Sequence, residues 1–156
     1  MSRSNYKRPT VGYTTDMLET IYQAQKLLEY TIKILNNEKN FDPIYDDVFK
    51  DDFKKYAKDI YINLVDANEI YVGYNDNQKN IENFKERDRL QQQARRDCNK
   101  FVKLLTRSRY IYHIRSKRFN YWTGRIINLS KLIKSWNESD RKRCQDIIDK
   151  KIRDNS

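Results

Sequence analysis

Four stretches of this chain repeat apolar residues at alternating intervals of three and four, the spacing that lines one face of an α-helix. The first stripe is Leu18, Ile21, Gln25, Leu28, Ile32 and Leu35, with Gln25 its polar member. A buried amide there needs partners and could fix register; at the seam edge it needs none. The second stripe is Phe53, Tyr56, Ile60, Leu64 and Ala67, with Tyr71 near its end. The third is Leu90, Ala94, Cys98, Phe101 and Leu105, and the fourth Trp122, Ile126, Leu129, Ile133 and Trp136. Only 3 Gly and 2 Pro punctuate 156 residues, so long helices meet few breakers. No segment alternates with the period of a strand, and no solenoid-type repeat is present.

Local signals set the expected boundaries. Asp16 with Glu19 forms a capping box for a helix from about Asp16 to Asn36, which Asn36, Asn37 and Asn40 close. Asp42-Pro43 opens the second helix, with Asp as N-cap, Pro at the first position and Asp46 and Asp47 at the positive end. That helix runs to about Tyr71, with Asp51-Asp52 as a candidate break, and Gly73, Asn75, Asp76 and Asn77 make a turn. The third helix spans about Ile81 to Arg109, with Asn83 and Glu86 as a candidate cap. Tyr110 to Arg115 connect it to a fourth helix, capped by Ser116 and running from Lys117 to Trp136. Asn137, Glu138 and Ser139 close that helix, and 140–154 remain open between a tail and a short extra helix using Cys144, Ile147, Ile148 and Ile152. The fold class is all-α: an up-down-up-down four-helix bundle over 14–137. A basic flexible arm, 1–13, carries Arg3, Lys7 and Arg8, and residues 138–156 form a basic C-terminal tail or short helix.

Charge is distributed unevenly. The net charge is +10, yet residues 1–78 carry 10 basic and 13 acidic side chains and residues 79–156 carry 22 and 9. Between 95 and 134 stand 12 Lys or Arg and one acid, Asp97. A solvated helical surface normally mixes signs, so a one-signed field of this size predicts a polyanionic partner, nucleic acid first among them. An acidic protein is the alternative, and a merely basic surface the plainest reading. No apolar run is long enough for a membrane span, and no apolar stretch follows the basic start as in a secretory signal. These features predict a soluble intracellular domain with no membrane association.

Helical geometry places the cations. With Cys98 set at zero, Ala94, Phe101 and Leu105 fall within about 60° of it and Arg96, Lys100, Lys103 and Arg107 within about 40° of the opposite direction. These four make a continuous outer stripe. On the fourth helix Lys117, Lys131 and Lys134 point away from the Trp122 face, and Arg125 lies at its edge, within reach of a neighbouring helix or a second subunit. Arg109, Arg115 and Arg118 gather at the connection beside Tyr110, Tyr112 and His113, where aromatics either stack on unpaired bases or staple the bundle end. The predicted nucleic-acid-binding set is therefore Arg95, Arg96, Lys100, Lys103, Arg107, Arg109, Arg115, Lys117, Arg118, Lys131 and Lys134. Such a set attracts a phosphate backbone and reads no base sequence. Trp122 is expected in the core, and Trp136, near a helix end, is expected with Arg125 at a subunit interface.

Catalytic chemistry is sparse. Cys98, Cys144 and His113 are too few for a usual zinc site, and Cys98 fits a reduced core residue. Arg107 and His113 match the loose Arg-x(4–6)-His pattern of HEPN ribonucleases, in which His serves as base and Arg stabilises phosphate charge. An arginine-rich chain meets that pattern readily, and Ser108 stands where such a family carries an amide or acid. No catalytic residue, metal or cofactor is predicted; a ribonuclease remains an alternative.

The run FVKLLTRSRYIYHIRSKRFNYWTGRIINLSKLIKSWNESDRKR, 101–143, resembles the end of the accessory variability determinant (Avd) proteins of diversity-generating retroelements, and also the four-helix-bundle proteins encoded by intervening sequences in 23S rRNA genes. The shared pattern is a third helix, a short link with a small N-cap (Ser116), and a last helix closing on Leu132-Ile133-Lys134-Ser135-Trp136 before the basic tail Arg141-Lys142-Arg143. It extends over roughly 15–143. Gly124, Asn128, the arm before 14 and residues 144–156 depart from it. Tyr61-Ile62-Asn63-Leu64-Val65-Asp66-Ala67 replaces the Ser-Ile-Pro-x-Asn-Ile-Ala-Glu-Gly-like stretch of the rRNA-insert branch, so the retroelement branch fits better. The resemblance implies a bacterial or phage-encoded cytoplasmic homopentamer that binds RNA or cDNA and a reverse transcriptase. Its implied role is a non-enzymatic one, supporting mutagenic cDNA synthesis. The alternative is a stand-alone interaction bundle with an acidic protein partner.

Overall fold

The computed structural model describes residues 15–37 and 48–156. Within them lie four helices and no strand: α1 (Thr15–Leu35), α2 (Lys50–Glu69), α3 (Gln78–Ser108) and α4 (Ser116–Asp154). The basic arm and the Asp42-Pro43 helix start fall outside the described residues. Each helix packs on the next in the chain and α1 closes on α4, which gives the all-α four-helix bundle. Cross-helix contacts run antiparallel along α1 and α4, where Trp122 meets Thr31 and Arg125 meets Gln23.

An aromatic cluster fills one half of the core. Phe53, Phe101 and Trp122 come from α2, α3 and α4, with ring centroids 5.5 to 5.9 Å apart. On the α1 side of these rings stands Thr31, whose hydroxyl accepts the Trp122 Nε1 hydrogen bond at 3.2 Å. This contact explains a one-residue shift in α1. Its inward line is Met17, Thr20, Ala24, Leu27, Thr31 and Ile34, not the more apolar set beginning at Leu18. Small residues at 20, 24 and 31 leave space for Trp122 and its neighbours, and packing outweighs the count of apolar side chains. Leu18 and Leu35 stay buried, whereas Ile21 and Leu28 are half-buried and Ile32 is 44% exposed. Gln25 is exposed and donates to Glu29 on its own helix, so it sets no register.

The other stripes point inward largely as expected. In α2, Phe53, Ile60, Leu64 and Ala67 are buried with Ala57, Tyr56 is half-buried, and Tyr71 stands exposed beyond the helix. All five apolar members expected in α3 are buried, as are all five in α4. The helix ends differ more. Asp16 already lies inside α1. Asn77, not Asn83, caps α3, accepting from the Asn80 N–H at 2.8 Å. Asn83 lies inside the helix and donates to the Tyr71 carbonyl instead. Arg115 occupies the N-cap of α4 and Ser116 is its first helical residue, receiving a hydrogen bond from Arg109.

The largest correction concerns 137–154. The expected stop at Asn137-Glu138-Ser139 does not occur, and α4 continues unbroken for 39 residues, about 58 Å. Asn137 is buried, and its amide finds partners across the seam: Asp88 and Gln91 at 2.7 Å each, and Gln92 at 2.9 Å. A residue that favours helix ends by bonding backbone is held in mid-helix because other side chains satisfy it. The continued helix builds a second small core from Val72, Phe84 and Ile147.

Candidate nucleic-acid interface

α3 and α4 lie antiparallel, and their polar seam fixes which residues stand abreast. Gln92 meets Asn137, while Asn99 and Val102 share a small hollow of about 130 Å³ with Ile126, Ile127, Ser130 and Lys131. Lys131 therefore sits one turn from both Arg95 and Lys103. Lys134 follows one turn along α4. This packing brings Arg95, Arg96, Lys103, Arg107, Lys131 and Lys134 onto one two-helix face. Arg96, Lys103, Arg107, Lys131 and Lys134 are exposed and Arg95 is half-buried. Only Lys134 has an acidic partner among the described residues, Glu138 at 3.8 Å, and both ends of that pair are more than half exposed. Such a pair is worth little in water.

Lys100 belongs elsewhere. It lines a groove of about 590 Å³ between α2 and α3 with Asp52, Lys55, Asp59 and Asp97. The chain's own carboxylates thus surround this lysine, and the continuous stripe expected along α3 is interrupted at its α2 side. Asp97 itself is 7% exposed. Burial pushes its carboxyl above the usual range, against the Gln93 amide that donates to it at 3.2 Å.

At the α3–α4 connection the predicted residues separate into two groups. Arg109 is half-buried, lies over the Phe119 ring at 4.6 Å and the Tyr110 ring at 5.6 Å, and donates to Ser116. It acts as a strut of the turn. Tyr112 is buried and its hydroxyl accepts the Phe49 N–H at 3.0 Å, so it staples the bundle end. Tyr110 remains 76% exposed. Arg115, Lys117 and Arg118 lie on the opposite flank of α4, around Tyr30 and Tyr121. Periodicity alone gives neither tyrosine a role: Tyr121 stands three residues after Arg118, and Tyr30 lies on a different helix with no arginine near it in the sequence.

His113 is exposed with a positive φ of 52°, a backbone region in which His is more common than most residues. It makes no hydrogen bond with Arg107 among the described residues, and Ser108 is buried against the Leu105 carbonyl. Cys98 is 1% exposed, and burial pushes its thiol up to about 12, which removes thiolate chemistry near neutrality. No group of three or more His, Cys, Asp or Glu among the described residues is placed to hold a metal. Nor is any described helix long and apolar enough to cross a membrane.

Both residues expected at a subunit interface are engaged inside the chain. Trp136 is fully buried with Arg87 over its ring at 5.2 Å, so its side chain offers nothing to a partner. Arg125 bonds the Tyr121 hydroxyl at 2.9 Å and Gln23 at 3.1 Å, reaching the neighbouring helix. Both arginines of the basic tail are likewise engaged: Arg141 forks onto Asp88 at 2.5 and 3.1 Å. Arg143 donates to the Val72 carbonyl beneath Tyr74.

Compared with known proteins, the chain matches no family model, and no curated protein or solved structure is significantly similar to it.

Proposed function

We propose that this protein is a non-enzymatic nucleic-acid-binding bundle that holds RNA or cDNA on the α3–α4 face. We place it as an oligomeric, Avd-like accessory to a reverse transcriptase, in the setting of a diversity-generating retroelement. The observation that carries the reading is the absence of compensating acid on that face: six cations share one described pair, Lys134–Glu138. From Arg95 to Arg107 the face extends about 18 Å, the rise of about five phosphates on a B-form strand. The resemblance in 101–143 supplies the retroelement, the polymerase partner and the pentamer. It does so through the sequence of the link and of Leu132–Trp136 alone, since Arg115 holds the N-cap and α4 runs on past Trp136.

An acidic protein is the second reading. The small apolar hollow at Val102, Ile126 and Ile127, with Ile127 45% exposed, is a feature a phosphate backbone does not use. Salt titration of binding to single-stranded RNA, single-stranded DNA and a polyglutamate of matched charge separates the two. Tight nucleic-acid binding with a steep salt slope supports the first reading; equal or better binding of polyglutamate rejects it. A reverse transcriptase gene and paired variable and template repeats beside this gene would support the retroelement setting, and co-purification of that polymerase would test the partnership.

A further inference from the structure

On the α1 flank of α4, a groove of about 540 Å³ is lined by Tyr30, Arg115, Lys117, Arg118 and Tyr121. Its wall is aromatic: the Tyr30 and Tyr121 rings meet edge to face with centroids 4.9 Å apart, and Trp122 backs Tyr30 at 6.3 Å. Its rim is cationic, and Arg115, Lys117 and Arg118 form no ion pair among the described residues. Arg118 and Arg125 are the charged side chains that act on the Tyr30 hydroxyl, and both are positive. The groove also meets the start of α4, where Arg115 provides no side-chain cap for the first-turn N–H groups. Those donors and the positive helix end add to the same field.

An aromatic wall beside three unpaired cations calls for a ligand that joins a flat ring to a strongly charged anion. The volume falls in the range of small-molecule sites and suits one nucleotide. A phosphodiester inside a strand carries one charge, whereas a terminal phosphate monoester carries nearly two at neutral pH and three acceptor oxygens. Three cations match the monoester better. The cationic face and this groove flank the same end of α4, one on its α3 side and one on its α1 side.

We infer that the groove binds the phosphorylated terminal nucleotide of a single strand, with the base against Tyr30 and Tyr121 and the phosphate among Arg115, Lys117 and Arg118. The inference deepens the nucleic-acid reading and rests on it for the strand, but not for the nucleotide.

The test uses the full chain and short single strands ending in a 5′-phosphate, a 3′-phosphate or hydroxyls only. One phosphorylated form should bind about tenfold tighter than the hydroxyl-ended strand at equal salt. Tyr121→Ala and Arg118→Gln should reduce that preference below about twofold. Both side chains lie at the surface, and helicity should be unchanged. Equal affinity of the wild type for all three strands overturns the groove and leaves the α3–α4 face standing. Direct titration with AMP, followed by isothermal titration calorimetry, judges the groove even where no strand binds. Saturable AMP binding lost in Tyr121→Ala supports it, and no AMP binding, or tighter binding of phosphotyrosine, overturns it.

Discussion

Arg96→Gln with Lys103→Gln removes two of the six cations on the α3–α4 face without adding an acid. Both side chains are exposed, and neither holds the fold: Arg96 has only a 3.1 Å hydrogen bond to Gln93 on its own helix. If all six cations neutralise phosphates on a single strand, log K should fall with log salt with a slope of about −4, from −0.7 per phosphate. The double variant should show a slope of about −2.8. At 0.1 M salt the lost counterion release amounts to about 1.4 log units, so binding should weaken about 25-fold, and the two proteins should converge toward 1 M. Fluorescence anisotropy on a labelled oligonucleotide across the salt series measures both quantities. Lys54→Gln with Lys58→Gln removes the same charge from the exposed side of α2 and should leave the slope unchanged. Lys100→Gln should change it less than Lys103→Gln, because Asp52, Asp59 and Asp97 share the groove of Lys100. Equal losses in the α2 and α3 variants would show that net charge, and not this face, governs binding.

Three further predictions concern the frame that holds the face. Arg87→Leu strands Asp140, which is 5% exposed and paired with Arg87 at 3.0 Å; urea denaturation should show a loss of about 3–5 kcal/mol at pH 7. Burial already holds the Asp140 carboxyl above the usual range, and losing the guanidinium raises it further, so the deficit should shrink as pH falls toward 5; a pH-independent deficit rejects the account. Asp97→Asn should raise the melting temperature at pH 7, because an acid with a raised folded pKa costs stability above that pKa. The gain should vanish by about pH 3, and a destabilised variant at pH 7 would contradict this. Thr31→Val leaves the buried Trp122 Nε1 without its acceptor and should cost about 1–3 kcal/mol by urea denaturation; a loss under about 0.5 kcal/mol would mean the bond fixes nothing.

The helical class and three of the four inward faces were legible because α2, α3 and α4 carry large apolar residues at their buried positions. α1 was legible as a helix but not in register. Ile21, Leu28 and Ile32 are more apolar than Thr20, Ala24 and Thr31, and periodicity alone prefers them. The deciding fact is the bulk and the N–H of Trp122, which sits 91 positions away along the chain. The run-on of α4 was hidden for a related reason: Asn137 reads as a terminator until Asp88, Gln91 and Gln92 are brought to it. Of the candidate site, the exposed α3 and α4 cations followed from angle counting. The fate of Lys100, Arg109 and Trp136 did not, because it depends on the neighbours each meets across helices. Tyr30 and Tyr121 come from α1 and α4, far apart in the chain, and only folding sets them side by side.

Along α3 and α4 the sign of the partners changes with position. Toward the start of α3 and the end of α4, acids lie in the seam and are consumed there. Arg87 pairs with Asp140, Arg141 forks onto Asp88, and the Arg141 guanidinium holds the Asp88 carboxyl below the usual range. Past Asp97 no acid occurs until Glu138 on the return. Like charges gathered on that half repel and would splay an unsupported helix pair. The aromatic core lies under the same half: Phe101 and Trp122, 5.8 Å apart, sit beside Lys103 and the start of α4. The aromatic cluster therefore lies beneath the most self-repulsive surface. The seam of amides and ion pairs locks the register of the other half. A phosphate backbone laid on such a face would meet two helices already fixed in register, so the ordering left to oppose binding is that of the lysine and arginine side chains.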